Sequence, residues 1–325
     1  MRHIHLRSTD PAFNLAAEEW LLHNTDTDIF MLWRNTQAVI VGKNQNAGAE
    51  INQEFVRQRD IAVIRRITGG GAVFHDLGNV NFTFIHLDRP EQGIDFRLFT
   101  TPIVEALQRM GVPCSFDGRN DLAINGLKIS GNAQHLEKDR VLHHGTLLFS
   151  SAVEDISAAL TINPAKYADK SVKSVRKRVT NIGAHLPEPM DVETFISHLM
   201  ADIAQNPSPK SLNLREDEIR GIEALKKKKY ATWEWNYGVS PQYDFTHATS
   251  TPGGLVETHL NVKNGRIQAL KIYGDFFGAH PVEELANRLI GCPHEARALA
   301  ERLDGVPVDR YIHGVDADTL VECFF

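Results

Sequence analysis

Residues 65–76 of the sequence read Arg65-Arg66-Ile67-Thr68-Gly69-Gly70-Gly71-Ala72-Val73-Phe74-His75-Asp76. This stretch follows a short apolar run, residues 61–64, that predicts a strand. Three consecutive glycines after a strand predict a loop that a ligand can approach closely, because no side chain stands in the way. Backbone amides in such a loop suit a phosphate, and Arg66 would add charge-assisted hydrogen bonds. From the glycines alone, a tight turn beside a solvated arginine pair explains the pattern equally well.

Two common nucleotide-binding signatures are absent from the sequence. No G-x-x-x-x-G-K-[ST] motif occurs, and no G-x-G-x-x-G motif follows a predicted strand. The composition is that of a globular protein, because 42% of the 325 residues are hydrophobic and 23% are charged. This length predicts about two domains. The formal net charge of −6 disfavours a general nucleic-acid binder, whose surface would be basic.

Neither a membrane segment nor a disulfide or zinc framework is indicated. The longest stretch without Asp, Glu, Lys or Arg is residues 141–153, which is too short to span a bilayer. The first residues lack the apolar core of a signal peptide. The three cysteines, Cys114, Cys292 and Cys323, are far apart and form no C-x-x-C pair. We therefore expect a cytoplasmic protein without dedicated protein ligands for a metal.

Helices and strands are predicted in an irregular order, without a regular βαβ alternation. Asp10-Pro11 is typical of a helix start, and the apolar residues that follow it recur on one face of a helix. Strands are predicted at residues 29–33, 38–41 and 79–85. A break at residues 249–254 (TSTPGG) precedes a hairpin that turns at Asn264-Gly265. The pattern predicts an α+β fold with mixed or antiparallel sheets and flanking helices.

Another hairpin is predicted around Asn125-Gly126, a turn pair that accepts positive φ at both positions. Counting outward from this turn, the predicted pairs are Ile124 with Leu127, Ala123 with Lys128, Leu122 with Ile129 and Asp121 with Ser130. Lys128 would then share a polar face with Asp121 and Ser130, which predicts an anion site. A solvent-facing strand lysine is the alternative that the pattern alone favours.

Three further segments have ordinary alternatives to a functional role. His143 and His144 are adjacent, so on a strand they point to opposite faces and are expected to pack or hydrogen-bond rather than hold one metal ion. Residues 166–178 hold six basic side chains and one acid, which fits a nucleic-acid patch, a surface for a phosphate or an acidic partner, or a solvated loop. The aromatic residues 233–237 are expected to lie in a core or a domain contact.

Five blocks in this order resemble the two-domain bacterial form of lipoate–protein ligase A. They are RRITGGGAVFHDLGNVNFTF, GRNDLAINGLKISGNA, DRVLHHGTLLF, KSVRKRVTNI and WEWNYGVSP. The opening DPAFNLAAEEWLL is also similar to the first helix of that family. The resemblance covers residues 10–245 strongly and the remainder more loosely. It implies the catalytic fold of the biotinyl and lipoyl protein ligases, with a small α+β accessory domain, and it reverses the ordinary interpretation of the glycines and of Lys128.

The resemblance implies a two-step reaction. Lipoate and ATP–Mg²⁺ would give lipoyl-AMP and pyrophosphate, and the lipoyl group would pass to a lysine of a lipoyl domain. Lys128 would be the catalytic residue, because a cation must offset the charge of two anions that approach each other. The other implied contacts are grouped by ligand. ATP and lipoyl-AMP would be bound by Lys128, Arg66, Gly71, Ala72, Val73 and Phe74, and lipoate by Lys128, Gly70 and His75.

Further residues are implied in supporting roles. They are Thr68, Gly69, Asp76, Asn79, Asp121, Ser130 and Arg176. Asp121 would orient Lys128 or a water on Mg²⁺, which would otherwise bind through the phosphates. The KSVRKRVTNI loop and the second domain would close over the reactive adenylate. We expect residues 1–247 to form the catalytic domain and residues 248–325 the accessory domain.

The implied partners are apo lipoyl domains, from 2-oxoacid dehydrogenase acyltransferase subunits and from the glycine-cleavage H protein. Neither nucleic acid nor a membrane is expected as a partner, and the expected state is a monomer. The nearest rival function is an ATP-independent octanoyl or lipoyl transferase with a cysteine nucleophile, yet Cys114 lies outside every block. A biotin ligase and a non-catalytic lipoate- or RNA-binding protein are further rivals. The retained Lys128 and Arg66 argue against a catalytically inactive protein.

Overall fold

The structure is a computed structural model that describes residues 1–87, 95–118, 120–160, 167–168, 178–206, 213–240 and 242–325. Its fold class is α+β, as the sequence predicts. The strands are β1 (Arg2–His5), β2 (Ile29–Trp33), β3 (Ala38–Val41), β4 (Ala62–Arg65), β5 (Val73–His75), β6 (Asn79–His86), β7 (Cys114–Asp117), β8 (Asp121–Ile124), β9 (Leu127–Glu137), β10 (Arg140–Leu148), β11 (Tyr167–Ala168), β12 (Tyr243–Thr251), β13 (Gly254–Lys263) and β14 (Arg266–Gly274).

Helices flank these strands along the described chain. They are α1 (Pro11–Asn24), α2 (Ala47–Glu50), α3 (Gln53–Gln58), α4 (Phe96–Arg109), α5 (Val153–Ala159), α6 (Val192–Ile203), α7 (Glu216–Leu225), α8 (Val282–Leu289), α9 (Ala296–Leu303) and α10 (Ala317–Glu322). Short 3₁₀ turns cover Ile182–His185 and Val308–Arg310, and π-helical turns cover Lys226–Tyr230 and Glu234–Gly238.

The chain divides into two compact units. The first comprises Met1–Lys43, Ala62–Ser157 and Ser174–Thr232, and the second comprises Asn44–Ile61, Ala158–Lys173 and Trp233–Phe325. The first unit contains a seven-stranded sheet in the order β1-β2-β6-β10-β9-β8-β7 and a three-stranded sheet in the order β4-β3-β5, as far as the described residues show. Phe82, Leu107 and Phe195 are fully buried in its core, with residues of α4 and α6 against the larger sheet.

The predicted helix start at Asp10 is confirmed, because the Asp10 carboxylate accepts hydrogen bonds from the amides of Ala12 and Phe13. The predicted apolar face is buried, but the burial of this helix extends beyond that face. Helix α1 is buried on most of its surface, and even Asn14 and Glu18 are buried. These two polar residues lie four positions apart, so they share one side of the helix. A carboxylate held in that position needs partners within the core.

The hairpin at Asn125-Gly126 is confirmed, with φ of 51° at Asn125 and 78° at Gly126. Its predicted register holds for the two pairs nearest the turn, Ile124 with Leu127 and Ala123 with Lys128. Beyond those pairs the register is wrong, because a β-bulge makes Ser130 face Leu122 and Gly131 face Asp121. The inserted residue is Ile129, which is fully buried in the core. The bulge leaves Ile129 without a partner residue on β8 and shifts the pairs beyond it by one position, which a count of residues from the turn cannot include.

The second compact unit contains the sheet β11-β12-β13-β14 and its own apolar core. The predicted hairpin at Asn264-Gly265 is confirmed, with φ of 51° and 68° at its turn. The predicted break at residues 249–254 is wrong in its first half, because β12 continues to Thr251 before the chain turns. The strand persists there because its residues pair with β13 as far as Thr251 and Gly254.

Two remaining expectations concern the helices and the cysteines. No helix in the described part of the chain is long and apolar enough to cross a membrane. Cys114 in the first unit and Cys292 and Cys323 in the second are all free and buried. Burial raises the pKa of Cys114 and of Cys323 to about 11, and it also raises that of Cys292. These thiols are therefore neutral core residues.

Candidate active site

Arg66 organises the glycine loop between β4 and β5. Its guanidinium donates hydrogen bonds to the carbonyls of Ile40 (3.1 Å), Gly69 (2.7 Å) and Gly71 (2.8 Å) and to the Thr68 hydroxyl (2.8 Å). The side chain is buried, and burial lowers the pKa of Arg66 to about 10. Because its bonds go to carbonyls on both sides of Gly70, the arginine fixes the course of the loop. Gly70 itself has φ of +91°, a conformation that favours glycine.

A chain of buried side chains connects this arginine to helix α1. The Thr68 hydroxyl lies 2.9 Å from Nε2 of His144, and Nδ1 of His144 lies 3.0 Å from both carboxylate oxygens of Glu18. The Thr83 hydroxyl donates to the same carboxylate at 2.6 Å. Glu18 is thus the buried acid whose charge offsets that of Arg66, and the charge of Glu18 raises the pKa of the arginine against the effect of burial.

Lys128 and Asp121 form an ion pair across the bulged hairpin. Nζ of Lys128 lies 3.0 Å from Oδ1 of Asp121, and their side chains are 24% and 9% exposed. The sequence predicted that these two residues share a face, and they do so although the predicted pairing of Asp121 is wrong. Nζ of Lys128 also lies over Gly131, where a Cβ atom would come within 2.9 Å of it. A partly exposed cation held by one carboxylate is suited to meet an anionic ligand.

On the side of β9 that faces away from β8, the backbone of Lys128 pairs with residues 178–180, at the end of the basic stretch. Its amide donates to the carbonyl of Arg178 at 2.9 Å, and its carbonyl accepts from the amide of Thr180 at 3.0 Å. No local pattern predicts this pairing, because it joins residues about fifty positions apart. Most of the basic stretch, including Arg176, lies outside the described residues.

Strand β10 brings the glycine loop and the Lys128 hairpin to one face of the larger sheet. His144 of β10 contacts Thr68 of the loop, and the Thr146 hydroxyl of β10 accepts a hydrogen bond from the Gly131 amide at 3.1 Å. Residues two apart on a strand lie on the same face. The two blocks that carry Arg66 and Lys128 therefore attach to the same side of the same strand.

His75 is buried at the end of β5, and its two ring nitrogens differ. Nδ1 lies 3.1 Å from the side-chain nitrogen of Asn35, whereas Nε2 is buried without a hydrogen-bond partner among the described residues. Burial, together with the nearby charges of Arg66 and His144, lowers the pKa of His75 to about 3. The imidazole is therefore neutral at physiological pH.

The remaining predicted residues lie around the same loop and sheet. Asp76 uses its two carboxylate oxygens to accept hydrogen bonds from the amides of Gly78 (2.9 Å) and Ala152 (2.8 Å), so it holds the turn after β5. Asn79 is fully buried and donates to Asn81, and Ser130 is fully buried and accepts from Asn132. Ala72 precedes β5, and Val73 and Phe74 lie within it.

Histidines 143 and 144 are packed and hydrogen-bonded, as the sequence predicts. His143 stacks on Phe99 at 5.0 Å between ring centroids and contacts Gln134, while His144 points towards Glu18. Among the described residues, no group of three or more His, Cys, Asp or Glu side chains is placed to hold a metal ion.

Sequence reasoning missed Glu18, His144 and Asn35 as members of the site. Their partners lie 126, 76 and 40 residues away in the chain, so no local pattern reveals them. One signal was present: Asn14 and Glu18 are polar and four residues apart in a helix that is otherwise apolar on that side.

Comparison with known proteins places this chain in a family. Residues 10–204 match the family described as "Lipoyl protein ligase A/B catalytic domain", and residues 240–324 match "Bacterial lipoate protein ligase C-terminus". The chain is 39% identical over 324 residues to lipoate–protein ligase LplJ of Bacillus subtilis, covering 97% of each chain.

Solved structures agree with this placement. A bipartite lipoate protein ligase of Thermoplasma acidophilum, described together with its E2 lipoyl domain, is similar with a TM-score of 0.63 and 25% identity, covering 73% of this chain and 96% of that one. A lipoate–protein ligase A bound with ATP is similar with a TM-score of 0.61 and 25% identity, covering 73% and 98%. The fold and the family matches thus define a ligase of the biotin and lipoate ligase class. Within that class, the chain belongs to the lipoate–protein ligase family and carries both of its domains in order.

Proposed function

We propose that this protein activates lipoate with ATP and transfers the lipoyl group to a lysine of lipoyl domains. The observation that carries the proposal is the attachment of two cationic blocks to one face of β10, the Arg66 loop and the Lys128–Asp121 pair. The names of the relatives, and the ATP bound to a similar structure, support the choice of substrates.

In the first step, the carboxylate of lipoate attacks the α-phosphate of ATP, and pyrophosphate leaves. Two anions must approach each other, so a cation between them lowers the barrier. Lys128 is our candidate, because its ammonium is partly exposed and is held by Asp121 at 3.0 Å. The lysine would contact the lipoate carboxylate and the α-phosphate together, and no proton transfer to or from it is required.

The glycine loop would hold the nucleotide. Arg66 binds the carbonyls of Gly69 and Gly71, which supports a role in fixing the loop for the phosphates. We propose that the backbone amides of the next residues meet the phosphate oxygens. Those residues are Gly71, Ala72, Val73 and Phe74. Gly70 and His75 are proposed to line the site of the lipoate carboxyl group.

Magnesium is a proposed companion of ATP. Mg²⁺ usually binds through phosphates and one or two carboxylates. Asp121 is the candidate protein carboxylate, and it fits only as a minor ligand or as a partner of a water on the ion, since Lys128 already contacts it. Bound there, the ion would neutralise charge on the phosphates.

Lipoyl domains are the proposed acceptors. The support is the Thermoplasma ligase, which is described together with its own E2 lipoyl domain. The lipoyl domains of other 2-oxoacid dehydrogenase subunits and the glycine-cleavage H protein follow as further candidates. We also propose that residues 1–247 carry the chemistry and that residues 248–325 form an accessory domain, which with the basic stretch would shield the adenylate from water.

The test is lipoate-dependent release of pyrophosphate from ATP, measured with and without an apo lipoyl domain. We expect release of pyrophosphate with lipoate alone and labelling of the domain when it is added. An absence of lipoate-dependent release would refute the proposal. The cysteine-dependent transferase is disfavoured, because Cys114 is buried and burial raises its pKa to about 11. ATP-independent labelling that is lost in Cys114→Ala would favour that rival.

A further inference from the structure

In the first unit, Nε2 of His75 is a buried ring nitrogen for which the described residues provide no hydrogen-bond partner. A buried polar atom without a partner costs about 1–3 kcal/mol, so its persistence calls for a reason. Its chemistry depends on whether this nitrogen carries a proton, and ring atoms alone do not decide that. The surrounding hydrogen bonds do decide it, starting from two backbone carbonyls.

The assignment begins at Asn14 of α1. One atom of its amide lies 2.9 Å from the carbonyl oxygen of Ser8 and 2.9 Å from that of Arg34. Both neighbours are acceptors only, so this atom must be the donor nitrogen. The same nitrogen lies 2.8 Å from one amide atom of Asn35, which must therefore be the oxygen. The other amide atom of Asn35 is then the nitrogen.

The asparagine pair thereby fixes the tautomer of His75. The Asn35 nitrogen lies 3.1 Å from Nδ1 of His75 and can only donate. Nδ1 must accept, so in the neutral ring the proton is on Nε2. Asn14, Asn35 and His75 are all buried, which prevents water from competing with these bonds. The ring thus offers a single N–H donor that no described protein atom accepts.

The position of this donor indicates its ligand. His75 follows the glycine loop directly, and the charges of Arg66 and His144 act on it. The Nε2–H group of His75 can donate a hydrogen bond but cannot accept one, so its ligand atom must be an acceptor. The carboxylate or carbonyl oxygen of an acyl group is such an acceptor. A neutral donor also suits such an oxygen, because it polarises the group without adding another charge beside Arg66.

We propose that Asn14 and Asn35 are positioning residues, which hold His75 as the Nε2–H tautomer so that it donates a hydrogen bond to the acyl oxygen of the lipoate substrate. This inference rests on the proposed function and names the contact within that site. In this proposal the carboxyl group of lipoate contacts two residues, the neutral donor His75 and the cation Lys128. His75 neither gains nor loses a proton during the reaction.

The decisive variant is Asn35→Asp. An aspartate has nearly the same shape and can still accept from Asn14, but towards His75 it offers an acceptor instead of a donor. Nδ1 must then carry a proton, and at a pH above the pKa that the new carboxylate gives the imidazole, Nε2 presents a lone pair to the substrate oxygen. Activity and NMR are therefore both recorded along a pH profile, in which the loss of activity grows as Nε2 is deprotonated. We expect kcat/KM for lipoate to fall about 10- to 100-fold, as for a lost hydrogen bond, while the KM for ATP changes less than twofold. Asn24→Asp, which makes the same substitution at the exposed end of α1, is the matched control and should leave both values unchanged.

Nitrogen NMR of histidine-labelled full-length protein reads the tautomer separately from activity. In the wild type we expect Nδ1 of His75 in the unprotonated range and Nε2 in the protonated range, and in Asn35→Asp the reverse. A wild-type Nδ1–H tautomer would overturn the inference, as would an inverted tautomer that leaves kcat/KM for lipoate unchanged. If the wild type releases no lipoate-dependent pyrophosphate, the proposed function fails instead, and that result is distinguishable because the tautomer is read without substrate.

Discussion

Gly131 lies directly beneath the side chain of Lys128. A Cβ atom at position 131 would come within 2.9 Å of Nζ and 3.2 Å of Cε of the lysine, and it would lie 3.8 Å from Oδ1 of Asp121. The atoms in the way belong to the flexible end of a side chain rather than to the backbone. The space that a glycine leaves at this point of the bulged strand is therefore occupied by the ammonium group of the site.

The first prediction concerns this glycine. Gly131→Ala should fold with nearly wild-type stability, because the lysine can move aside, but it should displace Nζ from Asp121. We expect lipoate-dependent pyrophosphate release to fall about 10-fold or more, since misplacing a reacting group is costly. Gly48→Ala, where the nearest atom would be 3.4 Å away, is the matched control. Equal activity of the two variants would contradict the prediction.

The second prediction separates Lys128 from Asp121. Lys128→Met should reduce adenylate formation by about 10²–10³, the usual effect of removing one stabilising donor. Asp121→Asn keeps a hydrogen-bond acceptor for Lys128 and should cost about 10-fold at most, because the lysine retains its charge. Single-turnover measurement of pyrophosphate release compares the two. A larger effect of Asp121→Asn would mean that this carboxylate does more than orient the lysine.

The third prediction concerns the buried acid of helix α1. Glu18→Gln leaves Arg66 buried without its counter-charge and should lower the free energy of unfolding by about 3–5 kcal/mol. The neighbouring Glu19 forms a less buried ion pair with Lys229, at 2.7 Å, so Glu19→Gln should cost about 1 kcal/mol. Urea denaturation of the two variants gives the comparison. Similar losses of stability at both positions would show that Glu18 does not compensate the buried charge of Arg66.

The fourth prediction is a dependence of stability on pH. The pKa of His75 is lowered to about 3 in the folded protein, below its ordinary value of 6.5. Between these values the unfolded chain binds more protons, so the free energy of unfolding falls as the pH drops below about 6.5. The pKa of His294 is lowered to about 4 by burial and adds to the same trend.

The measurement for this fourth prediction is the slope of unfolding free energy against pH. Between pH 6 and pH 4.5, His75→Asn should reduce the slope by close to one bound proton. The absolute stability of the variant does not enter, because only the slope is compared. An unchanged slope would mean that His75 is protonated in the folded protein.

Local patterns predicted the elements better than their pairing. The bounds of β2 and β3, the cap at Asp10 and both Asn-Gly turns follow from residues adjacent in the chain, and all are confirmed. The register beyond Ala123 was wrong, because β9 carries one extra residue, Ile129, in a β-bulge that the turn residues do not indicate. The roles of Arg66 and Lys128 in catalysis came from resemblance and stay predictions.

Apart from the pairing of Lys128 with Asp121, the partners of the site residues could not be predicted. Glu18 and His144 meet across 126 positions, and Asn35 and His75 across 40, so only the folded sheet brings them together. The sequence contained only an indirect signal. Two polar side chains in an apolar helix are costly to bury unless other buried groups form hydrogen bonds or ion pairs with them.

The buried cysteines bear on how the protein can handle its proposed substrate. Lipoate carries a cyclic disulfide, and a thiolate that attacked it would open the ring into a mixed disulfide with the enzyme. Attack requires the deprotonated and accessible form of cysteine. The chain has three cysteines, all of them buried, with the pKa of each raised by burial. Thiol–disulfide exchange with the enzyme's own side chains is thereby suppressed, and the oxidised ring can enter and leave without covalent capture.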